Sequence, residues 1–187
     1  MAPNDEQVAL VDAEGVVVGV AGRSEVRRAN LRHSATAVIV RDPRGRVYVH
    51  RRSADKDWAP SRHDAASGGV LLSGETPELA ARRELAEELG IEGVHLSALP
   101  GVFYEDATVR CRLHVYETTY DGPVRHRDGE VAWGTWMTLA ELAAHLRRDD
   151  WPFVPDTRAV LGALAAAGIG DYRDLELDTP APEGAGR

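Results

Sequence analysis

The sequence predicts an α/β fold: a layered α/β/α sandwich with a mixed central sheet, extended at its N-terminal end by a β-hairpin. Three observations point there. Short β-rich runs such as "SATAVIV", "RVYVHRR" and "VRCRLHVYETTY" interleave with a few helical segments, the pattern of helices laid on the faces of a sheet. One segment, Thr76 to Gly90, carries a full set of helix start and stop signals. The 187 residues suffice for one domain with a substantial core and short appendages.

In chain order, "EQVALVDAEGVVVGVAG" reads as two β-runs flanking a turn at Asp12–Gly15, with Gly15 free to take the backbone angles a tight hairpin needs. The polar stretch "RSEVRRANL" follows as a helical connector. "SATAVIV" and "RVYVHRR" are strands, separated by "RDPRG", whose Pro43 and Gly45 mark a turn. "SADKDWAPSRHDAAS" lacks any period and reads as a loop. In the next segment Thr76 can cap, Pro77 suits the first helical position and Gly90 ends the helix. Strands are expected in "VHLSALPGVFYE", "VRCRLHVYETTY" and "VAWGTWMT", and helices at "LAELAAHLRR" and, after the "WPFVPD" break, "TRAVLGALAAAG". The boundaries read as 1–32 for the hairpin and connector, 33–170 for the main domain and 171–187 for a tail. Its last ten residues, "DTPAPEGAGR", have a disordered composition.

A formal net charge of −8 offers no global basic field to attract nucleic-acid phosphates. Cys111 is the one cysteine, so no intrachain disulfide forms, and it reads as a small buried hydrophobe. No basic segment, apolar stretch and small-residue cleavage site open the chain, and its greasiest runs are too short or too glycine-broken for a bilayer. A cytoplasmic protein is expected, with a homodimer the default by base rates.

The helix from Pro77 collects acids. At about 100° per residue, Glu84, Glu87 and Glu88 fall within roughly a 100° sector, beside an apolar stripe of Ala81, Leu85 and Leu89. Like charges at this spacing weaken a helix by a few tenths of a kcal/mol per pair. A solvated acidic face is the bland explanation, and the wider spacing argues against it. Gly69, Glu75, Arg83, Glu84, Leu85, Glu87, Glu88, Gly90 and Ile91 fill every defined position of G-x5-E-x7-R-E-U-x-E-E-x-G-U, with U apolar. At about 5% usage per residue type, its seven fixed positions match by chance roughly once in 10⁹ registers.

This segment resembles the signature of the Nudix hydrolase family. The resemblance implies a loop–helix–loop that binds Mg²⁺ or Mn²⁺ and cleaves a diphosphate linked to another moiety, the substrate being a small molecule. Glu84, Glu87 and Glu88 would supply carboxylates to a hard, oxygen-seeking cation, and by resemblance Gly69 would lend its carbonyl. Glu75 and Arg83 would form the charge pair that orients the helix, with Gly90 closing it. The resemblance leaves the general base open between Glu87, inside the cluster, and Glu130, in "RDGEVAW".

Beyond that signature, "VDAEGVVVGVAGRSEV", "LRH", "VHRRSADKDWAPSRHDAASGGV", "GVFYED", "EVAW" and "FVPD" look like the branch of the family that includes isopentenyl-diphosphate isomerase. By position, Arg52 and Lys56 would contact the substrate diphosphate, as two cations after a strand can do. The isomerase reaction itself fits poorly. Ser67 and Gly69 stand where that chemistry needs a cysteine and a histidine, and only Glu105 lies near the expected Glu-x-Glu pair. His33 matches one histidine of the isomerase metal site and reads here as structural. A third alternative is a non-catalytic binding protein on the same fold. Trp58, Phe103, Tyr104 and Trp133 are read as core rather than as stacking platforms.

Overall fold

The computed structural model describes residues 5–127, 129–175 and 177. The N-terminal hairpin is β1 (Gln7–Val11) and β2 (Val17–Gly22), followed by a short helix α1 (Arg23–Ala29). Then come β3 (His33–Arg41), β4 (Val47–Arg52), β5 (His63–Asp64), α2 (Pro77–Leu89), β6 (Ser97–Ala98), β7 (Val102–Glu105), β8 (Arg110–Thr119), β9 (Val131–Met137), α3 (Leu139–Leu146) and α4 (Pro155–Ala166). A 3-10 turn at Gly170–Asp174 closes the order.

The strands join into one mixed sheet with β3 at its centre. All nine residues of β3 are buried, so both of its faces are covered. Side chains alternate across a strand, and β3 divides its residues accordingly. Ala35, Ala37 and Ile39 face one core, shared with Leu142 of α3 and Val160, Leu161 and Leu164 of α4. Val38 and Val40 face a second core against Ala81, Leu85 and Leu89 of α2. This is the expected α/β/α sandwich. β8 runs parallel to β3 along its whole length, from His33 opposite Cys111 to Arg41 opposite Thr119. The other strand pairs are antiparallel, with β9 and β5 both on β4.

The punctuation of α2 folds as its residues predict. Thr76 accepts a hydrogen bond from the Leu79 amide at 3.3 Å, Pro77 opens the helix, and Gly90 ends it at φ +65°. Ahead of it, residues 67–71 run along β3. Ser67 and Val38 exchange backbone bonds of 2.7 and 3.0 Å, Thr36 donates to the Gly69 carbonyl at 2.8 Å, and Leu71 donates to Ser34 at 2.9 Å. A Cβ on Gly68 would collide with the Thr36 carbonyl, so the backbones can approach this closely only at a glycine. This pairing hangs α2 from the central strand.

Four expectations need adjusting. "VHLSALPGVFYE" is two short strands on β8 rather than one; Pro100 has no N–H to donate at the break. The loop after β4 contains β5, because Asp64 and His63 pair with His50 and Arg51. The packed chain continues past residue 170: Tyr172 and Leu175 are 2% and 3% exposed within the core that holds α4. The tail composition noted for residues 178–187 lies outside the described residues. Phe103 and Trp133 are not core residues, being 45% and 46% exposed on outward-facing strand positions. Arg112 covers Phe103, its guanidinium 4.8 Å from the ring centroid. Trp58 and Tyr104 pack against the core's edge, and Cys111 is buried within it as expected. Among the described residues, no helix is long and apolar enough to cross a membrane.

Leu85 is 1% exposed where α2 meets β3. Leu85→Ala should destabilise the protein by about 2–5 kcal/mol, read by urea unfolding.

Candidate active site

At the α2 end of the sheet a cleft of about 370 Å³ opens between the glutamate-bearing helix, the residue 67–70 segment and the loop after β4. Glu84, Glu87, Gly69, Arg83, Arg52, Lys56 and Glu130 all border it. Residues as far apart in the chain as Arg52 and Glu130 thus border one cleft.

Arg83 organises the acids. Its Nε and Nη2 donate to the two Glu75 oxygens at 2.8 and 3.0 Å, a bidentate pair. Its Nη1 donates to Glu84 at 2.6 Å and to Glu87 at 3.2 Å, and Nη2 also reaches the Val70 carbonyl at 3.2 Å. Glu75 in turn accepts from the Leu72 amide at 2.9 Å. The helix and the loop that precedes it are therefore locked through one planar group. The hydrogen bonds from Arg83 hold the Glu75 carboxyl below its usual range.

The three expected ligand carboxylates differ in setting. Glu88 is 1% exposed and accepts from Ser67 Oγ at 2.8 Å, from the Gly68 amide at 3.3 Å and from Lys56 Nζ at 3.4 Å. Glu84 lies against Gly69, where a Cβ would collide with its carboxylate, so the glycine makes its room. Glu87 is exposed at the mouth. Burial, then the neighbouring Glu88 charge, pushes Glu84 up to about 7; burial also raises Glu88. Glu84 lines the cleft and Glu88 is buried behind its wall; perturbed ionisation at a cleft is a mark of function.

The uniform acidic face expected from helix spacing is thus resolved into an inward pair and an outward member. Among the described residues, no three His, Cys, Asp or Glu side chains already surround one point at ligand distance. The physical reason is the cations: Arg83 draws Glu84 and Glu87 to one side, while Lys56 and Ser67 hold Glu88. The donor set still suits a hard cation. Four carboxylates, Glu75, Glu84, Glu87 and Glu88, contact only the two cationic groups Arg83 and Lys56 in this network. Two of the four are buried and raised in pKa, a state that a nearby positive charge relieves. The Gly69 carbonyl accepts from Thr36 and keeps a second lone pair.

Lys56 does not stand open toward the cleft as a diphosphate clamp. It is ion-paired with Glu88 and, closely, with Glu130. Arg52 is 8% exposed, donates to the Trp58 carbonyl at 3.1 Å and lies 4.0 Å from Asp64. His33 is buried at the cleft wall with Nδ1 2.9 Å from the Leu31 carbonyl. The cleft also recruits residues that sequence reading passed over. The Gly68 amide donates to Glu88, and so does the hydroxyl of Ser67, noted in the sequence only for standing where the isomerase reaction needs a cysteine. Arg23 and Arg27 enter from α1, and Asp156 from the first turn of α4. Burial pushes the Asp156 carboxyl up to about 7, helped by Asp64.

The pattern of the NUDIX domain matches residues 31–157. The chain is 43% identical over 169 residues to an uncharacterised Nudix hydrolase, orf19, of Rhodococcus erythropolis, covering 85% of this chain and 91% of that one. It is 36% identical over 156 residues to the uncharacterised Nudix hydrolase YfcD of Escherichia coli K12, covering 83% and 84%. Among solved structures, DR0079 from Deinococcus radiodurans superposes with a TM-score of 0.72 at 28% identity, over 83% of this chain and 97% of that one. The NUDIX domain of Shewanella oneidensis NrtR, solved with ADP ribose, shares the fold at a TM-score of 0.59 and 15% identity, covering 79% and 99%.

Two outcomes are expected from this geometry. Gly69→Ala should displace Glu84 and lower stability by about 1–3 kcal/mol, since the added methyl overpacks the site. For Asp156, the folded pKa lies above the unfolded value of 3.8, so the folded state holds a proton that the unfolded state releases. Its contribution therefore erodes as pH rises from about 4 to about 7. Asp156→Asn should gain about 1–3 kcal/mol over wild type at pH 8, and the gain should shrink toward pH 4 in urea titrations.

Proposed function

The chain belongs to the Nudix hydrolase family, and from that membership we propose that it is a divalent-metal-dependent pyrophosphohydrolase of a nucleoside diphosphate linked to another moiety, or of a related organic diphosphate. The observation that carries this reading is the Arg83 network: one guanidinium at the cleft wall holding Glu75, Glu84 and Glu87, with Glu88 buried on the same helix.

In this reading Glu84, Glu87, Glu88 and the Gly69 carbonyl hold Mg²⁺ or Mn²⁺, both oxygen-seeking ions. When bound, such an ion neutralises the diphosphate and lowers the pKa of a water. The chain's own residues do the rest. Glu75 and Arg83 orient the acidic face, because the bidentate pair ties helix to loop. Ser67 and the Gly68 amide hold the Glu88 carboxylate in one orientation. Arg52 offers its guanidinium to substrate phosphate oxygens. Lys56, paired to Glu88 and Glu130, is free for phosphate only after those carboxylates find another cation, so metal and substrate binding are linked through it. The proton of the attacking water passes to Glu87, which is exposed at the cleft mouth, with Glu130 the alternative base. A catalytic unit that begins at residue 33 and, with Tyr172 and Leu175 in its core, runs to at least residue 175 belongs to the same reading, as does a cytoplasmic setting.

A panel of organic diphosphates, ADP-ribose among them, with Mg²⁺ or Mn²⁺ and a product assay tests it. Glu88→Gln should lower metal-dependent turnover more than about 100-fold, and Glu75→Gln roughly 10–100-fold. Full activity in Glu88→Gln would remove the metal assignment. If Glu87 is the base, Glu87→Gln should flatten the acid limb of the rate–pH profile while Glu130→Gln keeps it.

A further inference from the structure

The cleft is polar in a second sense. Its acidic end lies at α2, and its far side is faced by guanidinium groups set near the Asp64 and Asp156 carboxylates; one of them, Arg27, has no part in the proposed chemistry. Arg27 comes from α1, at residues 23–29, ahead of the span 31–157 that the family pattern covers. Its side chain is 23% exposed and its carbon Cζ stands 5.8 Å from the Trp58 ring centroid. Arg52 stands over the same ring at 5.9 Å. Among the described residues, Nε of Arg27 and Nε of Arg52 are both buried without a hydrogen-bond acceptor. The compensation available to Arg27 is thin. Asp57 lies 3.5 Å from it, but the same carboxylate is engaged by Arg23 at 3.2 Å.

Two buried guanidinium donors lacking acceptors, close enough to share one indole, cost desolvation and mutual repulsion. A neutral hydroxyl in the cleft would satisfy the donors and leave the repulsion. An oxyanion answers both, and the planar fork of arginine matches its oxygens. The apolar floor beneath, Ala35, Ala37, Cys111 and Leu113, offers no competing donors for it.

Building on the reading of this cleft as the substrate site, we propose that Arg27, with Arg52, binds an oxyanionic group of the substrate on the side away from the acidic cluster. Helix α1, which lies ahead of the span the family pattern covers, is then a specificity element. The preferred substrates carry negative charge beyond the phosphate held at α2, as a further phosphate or a carboxylate.

The test is calorimetric titration of inorganic tripolyphosphate into the full chain, in chelator and without divalent metal. Wild type, Arg27→Ala, Arg27→Lys and Arg28→Ala are compared; Arg28 is the neighbouring control, its side chain 76% exposed. Arg27→Ala should weaken binding roughly tenfold or more, the size of a lost charged hydrogen bond. Arg27→Lys should keep part of the affinity, and Arg28→Ala should match wild type. Should Arg27→Ala fail to fold, Arg27→Lys and Arg27→Gln carry the same comparison. Unchanged affinity in the Arg27 variants, an equal loss in Arg28→Ala, or no millimolar binding by wild type would each overturn the proposal. Because no metal is present, the outcome is separable from the hydrolase reading. Tripolyphosphate binding that depends on Arg27, in a protein with no metal-dependent turnover, would sink that reading and leave this site standing.

Discussion

The Arg83 guanidinium is the constraint on which the cleft depends. An acidic helix face in isolation is a self-repelling surface, and nothing local tells its side chains where to point. Arg83 spreads its donors over Glu75, Glu84, Glu87 and the Val70 carbonyl, so the loop before α2 and the acids on it become one rigid unit. A lysine could not do this, since an ammonium lacks the flat fork that grips both Glu75 oxygens while reaching two more acids. The cluster that results is held together and still short of positive charge, which is the condition for binding a cation rather than merely tolerating one.

That unit has to be placed against the sheet, and backbone does the placing. Residues 67–71 pair with β3 so closely that position 68 excludes any side chain, while a side chain at position 69 would displace the Glu84 carboxylate. Two adjacent glycines thus serve different neighbours, one backbone and one carboxylate. Ser67 then supplies the hydroxyl that fixes Glu88 from the same stretch. Fold and site share this segment: the bonds that hang α2 from the central strand also position the acids.

Across the cleft the arrangement reverses sign. Arg23, Arg27, Arg52 and Lys56 converge from α1, β4 and the following loop, partly balanced by Glu6, Asp57 and Glu130. A cavity whose α2 side is rich in carboxylates and whose other side brings four cations among accompanying acids, Asp64 and Asp156 included, is suited to a polyanion that needs a cation on one side and hydrogen-bond donors on the other. The N-terminal hairpin is more than an appendage in this view, because it carries the helix that delivers Arg27.

Much of this was legible in the chain. The spacing from Gly69 to Ile91 identifies the family and the acidic set, and Thr76, Pro77 and Gly90 delimit the helix, because caps and short-range motifs are written in consecutive residues. The apolar run "SATAVIV" announces a strand by the same local logic; its central place comes from the assembled sheet. What spacing along a helix does not contain is the identity of long-range partners. That Glu88 turns inward to Ser67 and Lys56 while Glu87 stays at the surface, that Lys56 is engaged by acids, and that Arg27 shares an indole with Arg52 are consequences of how distant segments pack. Local angles determine which face a side chain occupies; only the assembled sheet, by burying some charges and pairing others, decides what each one meets.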